Sequence, residues 1–460
     1  MNICFYLYGS DHLLCDALVQ SKVFQEEFNN PNVHYIADNR THKEAYDQRM
    51  YDILYLSDIN KNEFSKFPSS NNLFISMKRY TLIDKPAEQQ ENIFNSYQKA
   101  IKNYLVSKKI DVLIFPQQIQ SMEATLVLDI AKKLNIMSAS PHGTRLKHRA
   151  YFNDSEQSTL PIYKNKISPE NNINAKNLLK HFYEYKKLPY PFSQIKKFPR
   201  KNLFSRLLGR FRRVFKYKEN FELQDLYFSI LINAPFFQNI SRKIKRLRLK
   251  SFFDINNLED LPEKFIYFPL QLYPEASIHI PSPFFKHQER VVDLIRINMP
   301  SDYKLIIKEH PIMAGRRETS FYKNMKYKSG VRLINTNVDS NEIIKKSSLV
   351  ISVSGTAVLE AFLFKKPSFS FGETTFSEFI NFSTVDLNDM KGTILKYLQR
   401  EIDNGEIINF IELLYQNTFN FNNYSIEYDP EFSVSEKNIS NYLKALFSFL
   451  ENKYDFKHKN

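Results

Sequence analysis

The N-terminal third of the chain alternates short apolar runs with longer amphipathic stretches. The runs NICFYLY (2–8), NVHYIA (32–37), DILYLS (52–57) and DVLIFP (111–116) have the length and composition of buried strands. Between them, apolar residues recur at helical spacing in 89–107 and 121–135. Strands that alternate with helices form parallel sheets with helices on their faces, so this pattern predicts an α/β domain.

A second alternation of the same kind begins at residue 264. Its strand-like runs are KFIYFPLQ (264–271), YKLIIKEHP (303–311), VRLIN (331–335), LVISVSG (349–355) and PSFSFG (367–372), with helical segments at 285–299, 340–347 and 356–364. The tail after about residue 390 has a helical pattern and could pack on either domain. The pattern predicts a second parallel-sheet domain with a helical tail.

A chain of 460 residues exceeds the ~250–300 residues at which single cores stop growing. We predict an N-terminal Rossmann-like domain (1–150), a polar and basic amphipathic connecting region (151–255), a C-terminal Rossmann-like domain (256–390) and a helical tail (391–460). Open α/β sheets bind ligands at the carboxyl ends of their strands, so we expect the two domains to face a cleft there.

The net charge of +14 comes from one region of the chain. Residues 196–218 carry ten Lys and Arg and no acid, and residues 242–250 carry six and no acid. Without these sixteen residues, 48 basic residues face 50 acidic ones, so the rest of the chain is nearly neutral. The partner that this charge attracts is therefore expected at one surface.

Other composition features exclude several classes of protein. The only cysteines, Cys4 and Cys15, do not form a disulfide framework and are expected to be buried or incidental. No signal peptide and no run of about 18 apolar residues is evident, which indicates a cytoplasmic protein. Neither a Walker nor a dinucleotide-binding glycine motif is present.

Three strand ends of the second domain carry polar residues. After the second strand, Lys308 and His310 could hydrogen-bond a phosphate oxygen, although a loop histidine without a role is also possible. After the fourth strand, small polar residues and a glycine lead into a helix, whose N-terminus favours an anion: Ser352, Ser354, Gly355 and Thr356. Glu360, one turn into this helix, could reach a ribose hydroxyl; the alternative is a plain helix cap with a solvated Glu360.

The first strand of this domain leads into Glu275, which lies between Pro274 and Pro281. An acid held by flanking prolines at a sheet edge is placed for acid, base or nucleophile chemistry. Taken alone, the same pattern also fits a structural or solvated carboxylate.

The order QLYPEASIHI, IIKEHPIMAGRR and VSGTAVLEAFLFKKPSFSFG, over about residues 264–375, resembles the capsule polysaccharide biosynthesis proteins, including bacterial Kdo transferases. The resemblance implies a GT-B glycosyltransferase that binds a nucleotide-sugar donor at its C-terminal domain and needs no metal or other cofactor. It implies donor contacts from Gln271 and from the Lys308 and His310 motif. It also implies that Glu275 is the nucleophile of a retaining double displacement.

In the first domain, Glu123 begins a helix after the strand DVLIFP. It could act as general acid or base toward the acceptor, or simply favour the helix dipole. A basic cluster follows the next strand and could hold a phosphate or remain a solvated loop: His142, Arg145, Lys147, His148 and Arg149.

Residues 198–217 have the pattern of a basic amphipathic helix, with apolar residues on one face. We expect its arginines to contact an anionic membrane from the cytoplasmic side: Arg206, Arg210, Arg212 and Arg213. A helix packed on the protein with an exposed charged face is the alternative.

These observations predict a cytoplasmic glycosyltransferase, peripheral on the inner face of the membrane, that transfers a CMP-activated acidic sugar such as Kdo to a glycan or lipid-linked acceptor. The Kdo enzymes usually carry Asp at the position of Glu275, so a UDP-sugar or CDP-polyol donor is one alternative. A non-catalytic membrane- or nucleic-acid-binding protein is another; no nucleic-acid-binding motif accompanies the charge.

Overall fold

The computed structural model describes residues 1–8, 11–37, 52–59, 87–119, 121–144, 146, 148–155, 160, 169–185, 244–272, 282–372, 374–376, 385–422 and 430–456. Within these ranges the chain forms two α/β units, each built around its own sheet.

The first unit follows the alternation of its sequence. Its elements in chain order are β1 (Asn2–Leu7), α1 (His12–Gln20), α2 (Lys22–Glu27), β2 (Asn32–Ala37), β3 (Ile53–Tyr55), α3 (Ala87–Ser107), β4 (Val112–Ile114), α4 (Met122–Lys133), β5 (Met137–Gly143) and β6 (Arg149–Asn153). A long helix, α5 (Pro169–Tyr185), comes next.

The second unit and the tail contain the remaining elements. They are α6 (244–250), β7 (Phe265–Pro269), α7 (Gln288–Asn298), β8 (Lys304–Lys308), α8 (Thr319–Lys326), β9 (Val331–Ile334), α9 (Ser340–Lys346), β10 (Leu349–Ser352), α10 (Ala357–Leu363), β11 (Ser368–Ser370), α11 (Met390–Leu398), α12 (Asn404–Gln416), β12 (Phe419–Asn420), α13 (Pro430–Ser433) and α14 (Glu436–Tyr454).

The first sheet has seven strands in the order β12-β6-β5-β4-β1-β2-β3. Strands β1 to β5 pair in parallel, whereas β6 pairs antiparallel with both β5 and β12. The four strands that the sequence predicts here are β1, β2, β3 and β4, and all four are confirmed.

Side chains of β1 alternate between the two faces of this sheet, as the two-residue period of a strand requires. Ile3, Phe5 and Leu7 pack with α1, α2 and α14, whereas Cys4 and Tyr6 pack with α3 and α4. The central strand is therefore covered on both faces. Both cysteines are buried free thiols, as expected, and burial raises their pKa.

The second sheet has five parallel strands in the order β11-β10-β7-β8-β9. All five predicted strands are confirmed, as are α7, α9 and α10. Period-two alternation again divides the core: Ile266 and Phe268 face α7, whereas Phe265 and Tyr267 face α9 and α10. The predicted class, two α/β units with parallel sheets and a helical tail, is confirmed.

The tail packs on both units, which decides the alternative that the sequence leaves open. Apolar residues of α11 and α12 join the core of the second sheet, together with those of α5. β12 then pairs with β6, and α14 covers one face of the first sheet. The tail therefore returns the chain to the first unit.

Candidate functional site

The sheet order brings the three predicted strand ends of the second unit next to one another. β7 lies between β10 and β8, and all three strands run parallel. The residues that follow these strands therefore lie at one edge of the sheet: Gln271 after β7, residues 352–356 after β10 and His310 after β8. The sequence patterns that stand far apart along the chain thus belong to a single surface region.

Gln271 is buried against the turn of residues 352–356, and its side chain binds that turn. With the amide oriented to satisfy both partners, its oxygen accepts the N–H of Ser354 at 2.8 Å, the hydroxyl of Ser352 at 3.0 Å and the N–H of Gly355. Its nitrogen donates to Oγ of Ser354 at 3.2 Å. The Gln271 amide therefore takes the two N–H groups that the sequence analysis assigned to an anion.

Gly355 is needed for this contact. A Cβ at this position would lie 2.7 Å from the side-chain amide of Gln271 and 2.8 Å from Oγ of Ser352. Any larger residue would push the Gln271 amide out of the turn. Thr356, at the N-cap of α10, makes no side-chain capping hydrogen bond.

An ion pair lies beneath this region and is almost fully buried. Nε of Arg317 donates to Oε2 of Glu309 at 2.6 Å, with the two side chains 9% and 2% exposed. The Tyr322 hydroxyl donates to the same oxygen at 2.7 Å. Arg317 also donates to the carbonyl oxygen of Gln271 at 2.5 Å, so the pair joins the end of β8 to the end of β7. Sequence reasoning did not assign Glu309 or Arg317 to the site, although both stand in the motif KEHPIMAGRR.

His310 is half-buried and held by its own turn. Its Nδ1 accepts the N–H of Ile312 at 3.2 Å. In the neutral ring the proton therefore resides on Nε2, which makes Nε2–H a hydrogen-bond donor. Gly315 completes the turn with φ of 79°, a backbone conformation that L side chains rarely adopt.

Lys308 lies on the α9 and α10 face of the sheet, together with Tyr267. Its Nζ donates to the carbonyl of Val338 at 2.5 Å and to the hydroxyl of Ser340 at 2.7 Å. Burial lowers the pKa of Lys308. Tyr267 also hydrogen-bonds Ser340, and burial raises its pKa, with a smaller contribution from nearby Glu360. The structure thus connects Lys308 to the loop before α9 and places Glu360 beside Tyr267; donor binding by either residue stays a prediction.

The first unit presents a smaller polar group at the carboxyl ends of β1 and β4. Asp11 is 1% exposed; its Oδ2 accepts the N–H of Tyr8 at 3.0 Å and its Oδ1 accepts the amide of Gln117. Glu123 lies in the first turn of α4, as predicted, behind the N-cap Ser121 that accepts the N–H of Ala124 at 3.0 Å. Asp11 was not predicted from the sequence. An acid that follows a buried strand by a few residues, as Asp11 follows β1, is the pattern that could have identified it.

Several predicted residues lie outside the described ranges. They are Glu275 with its segment 273–281, the membrane-contact residues Arg206, Arg210, Arg212 and Arg213, and Arg145 and Lys147 of the basic cluster. Their roles stay predictions. Among the described residues, no group of three His, Cys, Asp or Glu side chains could hold a metal ion, and no helix is long and apolar enough to cross a membrane.

The basic cluster of the first unit does not form one exposed loop. His142 lies within β5 and is fully buried; its Nε2 hydrogen-bonds the carbonyl of Ser155 at 3.1 Å, and its ring stacks on that of Tyr151 with 5.5 Å between the centroids. Burial lowers the pKa of His142 to about 4. Arg149 lies in β6, donates to the carbonyl of Tyr415 and stacks over its ring at 4.6 Å. Neither residue is placed for an acceptor phosphate, because tertiary packing has drawn both into the fold.

We expect His142 to make stability fall in mild acid. The unfolded chain takes up a proton near pH 6.5, whereas the folded chain accepts it only near pH 4. Above pH 6.5 His142 is neutral in both the folded and the unfolded state, so its full contribution to stability is present. As the pH falls from 6.5 toward 4, the free energy of unfolding decreases by about 3 kcal/mol at most. Urea unfolding at several pH values measures it as the difference between the wild type and His142→Gln. His181→Gln is the matched control, because His181 is exposed on α5; equal pH slopes for the two variants would contradict the assignment.

Part of this chain matches the model of a sequence family. Residues 235–379 match the model of the capsule polysaccharide biosynthesis proteins. This range includes β7, β8, β10 and the turn of residues 352–356. A comparison with curated protein sequences finds no match.

Several solved structures are similar to the chain at low identity. The beta Kdo 2,7 transferase KpsC of Thermosulfurimonas dismutans is 10% identical with a TM-score of 0.40, over 98% of this chain and 99% of that one. The beta Kdo 2,4 transferase KpsC of the same organism is 12% identical with a TM-score of 0.35, over 65% of this chain and 78% of that one. UDP-GlcNAc 2-epimerase from Methanocaldococcus jannaschii is 14% identical with a TM-score of 0.25, over 90% and 100%. The family match over residues 235–379 confirms the predicted resemblance to capsule polysaccharide biosynthesis proteins for the part of the chain that carries the candidate site.

Proposed function

We propose that this protein is a GT-B-type glycosyltransferase of capsule or other surface polysaccharide assembly. It would transfer a sugar from a nucleotide donor to a glycan or lipid-linked acceptor. The observation that carries the proposal is the meeting of three family motifs at one sheet edge, where Gln271, Glu309 with Arg317, and the turn of residues 352–356 are joined by hydrogen bonds. Carboxyl ends of parallel strands are the ligand-binding edge of open α/β sheets.

The donor nucleotide would lie at this edge of the second unit. Nε2–H of His310 would donate a hydrogen bond to a phosphate oxygen, because Nδ1 of the same ring already accepts the N–H of Ile312. Gln271 and its partners Ser352, Ser354 and Gly355 would shape the pocket beside Thr356. Glu360 and Lys308, on the α9 and α10 face, would complete the donor contacts at the ribose and the phosphate.

The proposed donor is CMP-linked Kdo or a similar acidic sugar. It is supported by the family match over residues 235–379, which carry the three motifs. A UDP-sugar or CDP-polyol donor is the alternative, because the acid of the first motif is Glu275 where Kdo enzymes usually have Asp. The proposal includes no metal and no other cofactor, as the resemblance to GT-B transferases implies, and treats the nucleotide-sugar as the substrate.

Two carboxylates would serve the transfer step. Glu275, four residues beyond the anchored Gln271, would attack the anomeric carbon of the donor sugar. Glu123, at the carboxyl edge of the first sheet, would accept the proton of the acceptor hydroxyl. A predicted basic segment with Arg206, Arg210, Arg212 and Arg213 would bring the enzyme to the inner face of the cytoplasmic membrane.

Nucleotide binding tests the proposal directly. A nucleotide at 100 times its dissociation constant should stabilise the folded protein by about 2.7 kcal/mol, which a thermal-shift screen detects. CMP binding supports the Kdo-type donor, whereas a response to UDP or CDP alone supports the alternative. A protein that binds none of them fits a non-catalytic role.

We expect His310→Ala to weaken binding of the nucleotide that the screen selects roughly 5- to 150-fold without unfolding the protein. The variant loses one hydrogen bond to phosphate, worth about 1–3 kcal/mol. Calorimetry measures the affinity. His181→Ala is the matched control, because His181 is an exposed histidine on α5. Wild-type affinity in His310→Ala would place the phosphate elsewhere.

A further inference from the structure

Helix α6 carries an apolar stripe on its solvent side. Leu249 is 2% exposed and anchors the helix in the core of the second unit. Residues two apart on a helix point about 200° apart, so Leu247 faces away from that core. Leu247 is 64% exposed, and Ile244, one turn earlier on the same side, is 46% exposed. The helix therefore presents apolar side chains to solvent although its inner face is already packed.

Basic residues flank this stripe on both sides. Arg246, Arg248 and Lys250 are exposed, and no acid occurs in residues 242–250. Lys245 differs from them, because it forms an ion pair with Glu318 at 3.0 Å. An exposed apolar stripe bordered by cations is the pattern of helices that lie in the interface of an anionic membrane.

A groove adjoins the stripe and extends its apolar surface into the protein. The groove has a volume of about 540 Å³ and lies between α6 with Phe253 and the loop of residues 335–337. Its walls are apolar at Leu247, Leu249 and Phe253, and Arg246 and Lys250 contribute cations. This combination suits a molecule with an apolar chain and an anionic head group, in a volume typical of ligand pockets.

The groove opens at the same sheet edge as the candidate site. The loop of residues 335–337 follows β9, which neighbours β8, which in turn neighbours β7. Adjacent strands lie about 4.8 Å apart, so the ends of β9 and β7 are separated by roughly 10 Å in the plane of the sheet. A lipid held in the groove would thus lie on the side of the second unit where the motifs meet.

We propose that α6 and the groove beside residues 335–337 form a docking surface for an anionic phospholipid bilayer. Arg246, Arg248 and Lys250 contact the lipid phosphates, while Ile244 and Leu247 enter the boundary between head groups and acyl chains. The surface deepens the proposed function, since it would hold a lipid-linked acceptor near the donor site. Its binding to lipid requires neither nucleotide nor acceptor.

Sedimentation of the full chain with vesicles tests the electrostatic part of this surface. We expect binding to vesicles that contain phosphatidylglycerol and little binding to phosphatidylcholine alone. Replacing Arg246, Arg248 and Lys250 together by Gln should weaken binding about a hundredfold, because each basic residue at an anionic surface contributes roughly fivefold. The control variant replaces three exposed lysines elsewhere by Gln, Lys391, Lys437 and Lys444, and should bind within a few-fold of the wild type. Equal losses in the two triple variants would overturn the proposal.

The apolar part is tested by Leu247→Ser, which should weaken vesicle binding about tenfold. Its control is Leu387→Ser, a leucine 52% exposed outside this surface. A Leu247→Ser variant that binds like the wild type would overturn the proposal. If single-stranded oligonucleotide also displaced the vesicles in that case, the surface would belong to nucleic acid. Nucleotide affinity is measured separately, so failure here leaves the proposed transferase untouched, and absent nucleotide binding leaves the lipid surface untouched.

Discussion

Replacement of Glu275 by Gln is expected to reduce sugar transfer at least about a hundredfold and to leave nucleotide binding unchanged. The Gln side chain keeps the shape of Glu275 but lacks the charge needed to attack the anomeric carbon or to stabilise an oxocarbenium-like state. Glu275 follows Gln271, which is held on three sides by Gln288, Arg317 and the turn of residues 352–356. Such anchoring would help keep a carboxylate within the ~3–3.5 Å required for attack.

Product formation with the donor identified by the nucleotide screen measures the loss. Glu263→Gln, an exposed acid just before β7, is the matched control and should retain activity. If Glu275 is the nucleophile, its carboxylate oxygen forms a bond to the anomeric carbon while the nucleotide leaves with the former glycosidic oxygen. Intact mass with donor alone should then show a sugar adduct on the wild type and none on Glu275→Gln. Near-wild-type turnover in this variant would instead direct the search to Glu123.

Breaking the buried pair of Glu309 and Arg317 should have the largest effect on stability. Arg317→Met leaves the Glu309 carboxylate in the core, where its remaining partners among the described residues are the Tyr322 hydroxyl at 2.7 Å and the N–H of His310 at 2.8 Å. Removing one member of a buried ion pair costs about 3–5 kcal/mol, because the remaining charge is uncompensated. We expect a decrease of this size in the free energy of unfolding, measured with urea.

The double variant Glu309→Gln with Arg317→Met separates charge from packing. It removes both charges, so a substantial part of the lost stability should return. The exposed pair of Lys264 and Asp302, joined at 2.8 Å, is the control, and Lys264→Met should change the free energy of unfolding far less than Arg317→Met, because water screens this pair. If Arg317→Met costs no more than Lys264→Met, the Glu309 pair does not hold the ends of β7 and β8 together.

Periodicity along the chain was sufficient for most of the second sheet. Its five strands are short apolar runs bounded by polar turns. A continuous apolar run such as FIYFP predicts a strand that is buried on both faces, whichever strands pair with it. Local sequence therefore determined these strands. Gly355 was also recognised locally, as a glycine between a strand and a helix, but its reason is tertiary: Gln271, 84 positions earlier, occupies the space of a side chain there.

Side-chain partners required the tertiary structure. Lys308 and Glu309 are adjacent in sequence, yet the alternation of strand faces sends one to the loop before α9 and the other to Arg317. Sequence analysis assigned Lys308 to the donor and passed over Glu309, because one strand reveals neither the sheet order nor the turn that brings Arg317 back onto Glu309. His142 shows the same limit, because its protonation depends on complete burial within β5, which its neighbours in the sequence do not reveal.

The sequence by itself determined two α/β units, the placement of the family motifs at strand ends and the basic segments of the chain. Each of these follows from residue type and local spacing, which act over a few residues. Only the tertiary structure decided that the tail covers both units, that Gln271 fills the turn before α10, and that Arg317 joins two motifs. These contacts join residues distant in the chain, and their energies depend on burial and geometry that exist only after the sheets have assembled.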